Sequence, residues 1–366
     1  MGKIEQSFFF LLRKALGTDS PKFAFPLLTK EEWEYLYNLA KKQTLTGVLL
    51  SGIQKLDPDL APPKKILLQW FAQVEKIKER NIQLNKTVVK VSERFAVDGF
   101  KSAILKGQGV ALYYPEPLLR MPGDIDIWLD GNREDIIKYV RKYCPKEGAR
   151  YHHIDFPVMK NVSIEVHFTP TWMNAFSKNK LLQGLFEDWK ETTFNNKVYL
   201  DDKDVKGFCV PTDKMNRIFL LIHIYHHFFD EGIGLRQLVD YFYLLRRGCS
   251  DEEKKEFQQI IQSLGIVKFT KALMYVMHQI MGLPKECLLT EPNEKDGHFV
   301  LKEILISGNF GHDDERIYRK NGKSTAFYWS KFTHKAHFVS AYPKDIYHNI
   351  SFWVWQYFWR MKNGYL

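Results

Sequence analysis

The sequence predicts an α+β chain, a mixed-sheet core flanked by helical N- and C-terminal regions. Three observations predict it: apolar residues recur at three- and four-residue intervals up to Asp98, short alternating runs follow from Gly99, and helical spacing returns after Val210. The expected regions are therefore 1–98, 99–210 and 211–366. At about 150 residues per domain, a chain of 366 residues allows two or three domains with ample core.

In the first region, Trp33, Leu36, Tyr37 and Ala40 fall on one helical face. After Pro62-Pro63 a long second stretch places Ile66, Trp70, Val74 and Ile77 on one stripe. The neighbouring Lys76, Lys78 and Arg80 fit either a solvated face or a nucleic-acid contact. In the second region, Phe100–Leu105 and Asp124–Leu129 read as strands, with one or two helical turns between Gly107 and Tyr114. NREDIIKYVRKYC returns to a helical period, with Asn132 as its N-cap. Two more strands are expected around ARYHHIDFPVM and NVSIEVHF. In the second of these Val162, Ile164 and Val166 face one way, and Ser163, Glu165 and His167 the other. A helix near Asn174–Lys190 and extended pieces around KVYL and FCVP complete the region. From Pro211 onward two helices separated at Gly232 and Gly234 are expected, then further helical spacing. The aromatic ending SFWVWQYFWRMKNGYL suits a helix docked on the protein's own core, or an anchor at a membrane surface.

Composition narrows the classes of function. With 45% apolar residues the chain is globular, and its formal charge of +10 favours anionic partners such as nucleotides, RNA or anionic lipid. The four cysteines, Cys144, Cys209, Cys249 and Cys287, are far apart and lack zinc spacing. They point to reduced thiols and a cytoplasmic setting, where the sequons at Asn85, Asn161 and Asn349 carry little weight. No apolar run approaches the roughly 18 residues of a membrane span. The start, MGKIEQSFFFLLRKALG, reads as a first helix rather than a signal peptide.

The chemistry concentrates in GDID. On a strand Asp124 and Asp126 share a face while Ile125 and Ile127 share the other, a geometry that can hold divalent metal against phosphate oxygens. Such a pair also occurs on solvated edge strands, so corroboration is needed. Glu165 supplies it, because a carboxylate amid apolar strand residues costs several kcal/mol if buried without a partner. Three carboxylates around one or two Mg2+ (or Mn2+) ions are what nucleotidyl transfer requires. His167 shares the face of Glu165 and suits orienting that carboxylate, contacting substrate or simple packing. His223 and His227, spaced i, i+4 with His226 between them, suit a cleft face or, without an HExxH pattern, a zinc pair. Arg236 and Asp240, also i, i+4, suit a surface pair or cleft residues. Asn309 and His312 in the loop SGNFGH suit an anion or acceptor contact.

LKGQGVALYYPEPLLRMPGDIDIWL followed by SIEVHF resembles the polymerase-β-like nucleotidyltransferase superfamily, and within it a family of uncharacterised nucleotidyltransferases with an LKG...YP...R..GDIDL signature. The helices on either side are similar too, so the resemblance spans most of the chain. It implies a polymerase-β-like mixed sheet, with Asp124, Asp126 and Glu165 as catalytic metal ligands. The Lys-Gly pair and the Arg before the aspartates are also similar to abortive-infection nucleotidyltransferase toxins. Most of the superfamily carries Gly-Ser about ten residues before the first aspartate. Here Lys106-Gly107 stands in that role, farther upstream and with no Ser after it. The candidate nucleotide- and phosphate-binding residues are Lys106, Gly107, Gln108, Arg120, Gly123 and Arg236, with the Gly107–Gly109 amides supplying helix N-terminal donors. His167, His223, His227 and Asp240 are the candidate acceptor or cleft contacts.

The expected function is Mg2+-dependent transfer of an NMP group from an NTP to a small molecule, RNA or protein, releasing pyrophosphate. The alternative is a non-catalytic nucleotide or sugar-phosphate binder on a degenerate version of the fold; Glu165 more than about 8 Å from both aspartates, too far to share a metal, would favour it.

Overall fold

The computed structural model describes residues 2–18, 24–200, 206–311, 314, 316 and 325–365. Helices α1 (Lys3–Leu16), α2 (Lys30–Lys42), α3 (Thr46–Ile53) and α4 (Lys64–Val97) lead into β1 (Ser102–Ile104), α5 (Gln108–Ala111) and β2 (Ile125–Leu129). Then come α6 (Arg133–Tyr143), β3 (His153–Asp155), β4 (Ile164–His167), α7 (Phe176–Asp188), α8 (Lys190–Asn195), β5 (Lys197–Val198) and β6 (Phe208–Cys209). The chain continues as α9 (Asp213–Asp230), α10 (Leu235–Arg246), α11 (Asp251–Leu264), α12 (Val267–Tyr275), α13 (Glu294–Ser307), α14 (Thr325–His337) and α15 (Pro343–Lys362). This is the α+β class expected from the sequence.

Two compact units are present. One comprises Met1–Arg80, Tyr113–Met121 and Ile224–Glu315, and its elements are helical. Its helix starts are locally encoded: at α2 the Thr29 hydroxyl accepts from the Glu32 amide at 3.3 Å and the Glu32 carboxylate accepts from the Thr29 amide at 2.9 Å. Ser250 and Glu253 repeat this box at α11. Helix α3 crosses α1 at Gly52, where a Cβ would sit 2.2 Å from the Leu11 carbonyl oxygen, so only glycine permits the approach. Buried Gln43 ties three segments together. Its amide donates to the Ile304 carbonyl at 3.2 Å, and its oxygen accepts from the Leu235 amide at 3.0 Å.

The other unit comprises Asn81–Leu112, Pro122–His223 and Arg316–Leu366. It holds a mixed six-stranded sheet in the order β3-β4-β2-β1-β6-β5. β2 runs parallel to β4 and antiparallel to β1, which is parallel to β6; β3 and β5 close the edges as antiparallel strands. One face of the sheet is apolar and forms the core. Ile125, Ile127, Leu129, Ile154, Ile164 and Val166 pack with Leu84, Val88, Val91 and Phe95 of α4 and with Ile136, Ile137 and Val140 of α6. Helix α6 starts where Asn132 accepts from the Asp135 amide at 2.9 Å, the cap expected from the sequence.

The stripe Ile66, Trp70, Val74 and Ile77 of α4 is buried as expected, while Lys78 pairs with Glu75 on the exposed side at 2.9 Å. The aromatic helix α15 docks within its own unit. Phe352 lies 5.3 Å from the Tyr151 ring and Trp355 lies 5.1 Å from Phe176, while Tyr347, Tyr357 and Phe358 remain exposed. No helix among the described residues is long and apolar enough to cross a membrane.

Candidate active site

The candidate residues lie on the polar face of the sheet. In the β2–β4 ladder Asp126 lies opposite Glu165 and Trp128 opposite His167; in the β3–β4 ladder His153 lies opposite His167 and Asp155 opposite Glu165. Because strand side chains alternate, Asp126, Glu165, His167, His153 and Asp155 project from one face, and the isoleucines and valines between them enter the core. Asp124, just before β2, joins them: Asp124, Asp126 and Glu165 can each offer an oxygen within 4.8 Å of the others.

Lys106 reaches this cluster from β1. That strand ends at Ile104, but one further ladder bond, from the Leu105 amide to the Asp126 carbonyl at 3.0 Å, carries the chain alongside β2. Gly107 then turns it with φ 55° and ψ −113°, a conformation glycine alone adopts readily. The Lys106 ammonium ends 3.0 Å from Asp126 Oδ1, and His167 Nε2 lies 3.0 Å from the same oxygen.

Burial opposes ionisation of Asp126, but Lys106 and His167 outweigh it and hold its carboxyl far below the usual range. Asp124 goes the other way, raised first by repulsion from Asp126 and then by burial. Glu165 is lowered, with burial opposed chiefly by its hydrogen bond to His167. Burial pulls the His167 imidazole down, yet hydrogen bonds to Asp126 and Glu165 raise it to about 9. His153 is pushed down to about 3 by burial, against the attraction of Glu165. Asp126 therefore has two cations and His153 is neutral.

A pH dependence follows for the metal-free protein. A histidine raised on folding contributes stability that is complete below its unfolded value near 6.5 and is lost as pH rises through about 9. The melting temperature in chelator should fall between pH 7 and pH 9.5, and His167→Gln should flatten that slope. Equal slopes in the two proteins would remove His167 from the account.

One atom tests whether the carboxylates suit a metal. Asp126 Oδ2 is buried and accepts no hydrogen bond, a cost of about 1–3 kcal/mol for such a group. An oxygen-binding divalent cation held by Asp124, Asp126 and Glu165 would satisfy it, so the donor set fits Mg2+ or Mn2+.

Residues 29–282 match the family described as uncharacterised nucleotidyltransferase. The chain belongs to this family. No curated protein matches it. Among solved structures it is similar to an antigenic nucleotidyltransferase-like protein from Paracoccidioides brasiliensis, with 12% identity and a TM-score of 0.30, over 50% of this chain and 92% of that one.

In this nucleotidyltransferase family member the remaining candidates are spread over both units. Gln108 turns its side-chain amide to Asn85 of α4, and the Gly109 amide donates to the Lys106 carbonyl at 3.1 Å, so both donors are engaged within the chain. Gly123 lies exposed immediately before Asp124. Arg120 makes a buried two-pronged ion pair with Asp240, Nε to Oδ1 at 2.7 Å and Nη2 to Oδ2 at 2.8 Å, and Tyr114 donates to Asp240 Oδ1 at 2.6 Å. Arg236 is also buried and donates to the Met121 carbonyl at 3.1 Å. The expected surface pairing of Arg236 and Asp240 is thus corrected: α10 is buried from Leu235 to Leu245, and both side chains lie inside the helical unit.

Neither His223 nor His227 enters a group of three or more potential metal ligands among the described residues. His227 lies against Phe310 and 3.9 Å from Glu231. Asn309 accepts from Gln237 at 3.2 Å, and His312 lies outside the described residues. His153 was missed in the sequence. Its signal was the alternation His153, Ile154, Asp155, which matches that of Glu165, Val166, His167 on the neighbouring strand.

Proposed function

We propose that the chain transfers a nucleotidyl group from an NTP to an acceptor hydroxyl, using Asp124, Asp126 and Glu165 as ligands for Mg2+ or Mn2+. The supporting observation is the convergence of these three carboxylates within 4.8 Å, with a buried oxygen of Asp126 left without a hydrogen bond. Bound there, the cation would polarise the α-phosphate and neutralise charge on the triphosphate. The acceptor oxygen attacks the α-phosphorus, the bond from that phosphorus to the bridging β-phosphate oxygen breaks, and pyrophosphate leaves. The acceptor proton passes to the carboxylate cluster. His167 would keep Asp126 and Glu165 oriented, and Lys106, whose ammonium lies 3.0 Å from Asp126 Oδ1, would supply a cation to the triphosphate.

Lys106→Ala should weaken nucleotide binding by about 10- to 100-fold, the range for losing one charge-assisted hydrogen bond, and leave the protein folded. An unchanged nucleotide titration would reject the phosphate role. For the acceptor, the decisive screen incubates each of four labelled NTPs, with Mg2+ or Mn2+, against RNA, protein and small-molecule fractions of a crude extract. Label appearing in one fraction names the acceptor class. Nucleotide binding without label transfer to any fraction would favour the non-catalytic binder. Glu165 more than about 8 Å from both aspartates would have favoured that alternative; the 4.8 Å grouping does not lend it that support.

A further inference from the structure

The carboxylate cluster has a second ligand set built onto it. His153 Nδ1 lies 3.3 Å from Glu165 Oε2, and His167 Nε2 lies 3.6 Å from that same oxygen. Both imidazoles are almost fully buried, and the three potential ligand atoms fall within 4.8 Å of one another. The sheet imposes this convergence. His153 and His167 are direct partners in the β3–β4 ladder, and Glu165 is two residues from His167 on the same face.

The chemistry of this set differs from that of its neighbour. Asp124, Asp126 and Glu165 are all oxygen donors, which suit Mg2+ and Mn2+ alike. Two imidazoles and one carboxylate form a donor set that binds Mn2+, Co2+ or Zn2+ and discriminates against Mg2+, whose preferred ligands are oxygens. Two further ring atoms, His153 Nε2 and His167 Nδ1, are buried with no hydrogen-bond partner. The inner nitrogens are engaged, His153 Nδ1 2.8 Å from His152 Nε2 and His167 Nε2 3.0 Å from Asp126 Oδ1, so each ring is only half satisfied by the protein.

We propose that His153, Glu165 and His167 bind a transition-metal ion beside the all-oxygen site, with Glu165 common to both, so that the centre takes one ion of the Mn2+, Co2+ or Zn2+ class rather than Mg2+ alone. The location builds on the proposed transferase site, but the metal measurement does not depend on nucleotidyl transfer. In the metal-free protein the ring of His167 occupies the space between Asp126 and Glu165.

The test uses the full chain. Mn2+ bound to the wild-type protein should show nitrogen-14 coupling from imidazole in pulsed electron paramagnetic resonance. Co2+ should give visible absorption that excess Mg2+ does not erase. His153→Gln should weaken Co2+ and Zn2+ binding at least tenfold, whereas Asp124→Asn should keep the nitrogen coupling. Absence of nitrogen coupling in the wild type, or equal Zn2+ affinity in wild type and His153→Gln, would overturn the proposal. Because the wild-type spectrum decides on its own, misfolding of the variant leaves the test intact. Nitrogen coupling in a protein that transfers no label would uphold this inference and sink the transferase reading; transfer supported by Mg2+ in a protein with no nitrogen coupling would do the reverse.

Discussion

Asp124→Asn is expected to abolish nucleotidyl transfer, by about 10^3-fold or more given the several kcal/mol that a metal-centred step can supply, while the metal-free protein melts at the same temperature or higher. Loss of one of three metal ligands accounts for the first effect. The second comes from electrostatics. The Asp124 carboxyl is raised by repulsion from Asp126, so at neutral pH its negative charge destabilises the folded state, and that cost disappears on acidification. Removing the charge removes the cost. Asp126→Asn should behave differently although it also removes a ligand. Lys106 and His167 both rest on Asp126 Oδ1, and an amide there leaves two buried cations without their carboxylate. Such a break costs about 3 kcal/mol or more, so this variant should melt well below the wild type in chelator. Paired measurements of label transfer and of melting with and without metal separate the two outcomes. Retained transfer in Asp124→Asn would end the assignment.

What the sequence made legible was the side of each strand, and what it withheld was which strands meet. The alternation of Asp124 and Asp126 with Ile125 and Ile127, and of Glu165 and His167 with Ile164 and Val166, is a property of each local run and survives folding unchanged. The pairing of Asp126 with Glu165 is a tertiary fact, set by a parallel register between segments about forty residues apart. His153 escaped notice for the same reason, because its importance comes from a neighbouring strand rather than from its own surroundings. Lys106 was recognisable as a cation beside the aspartates, but its direction depends on the Gly107 turn that releases it from the alternation of β1. For Arg120, closeness in sequence to GDID suggested a phosphate ligand, whereas the ion-pair partner its side chain meets lies 120 residues away on α10.

That partner supports the other large prediction. Arg120→Met should destabilise the protein by about 3–5 kcal/mol, the cost of removing one member of a buried ion pair. At roughly 2–4 °C per kcal/mol for a unit of this size, the melting temperature should fall by roughly 6–20 °C. Both oxygens of Asp240 are engaged by Arg120, and the Tyr114 hydroxyl adds a third bond, so losing the guanidinium strands a buried carboxylate. Replacing both partners is a different experiment. Arg120→Met with Asp240→Leu exchanges the pair for apolar side chains of similar bulk and should recover most of the lost stability, since the desolvation of two charges no longer has to be offset. A phosphate role for Arg120 makes the opposite forecast. Arg120→Met would then weaken nucleotide binding with little change in melting, and adding Asp240→Leu would restore nothing. Melting and nucleotide titration of the single and double variants therefore decide whether this arginine braces the segment leading to Asp124 or meets the substrate itself.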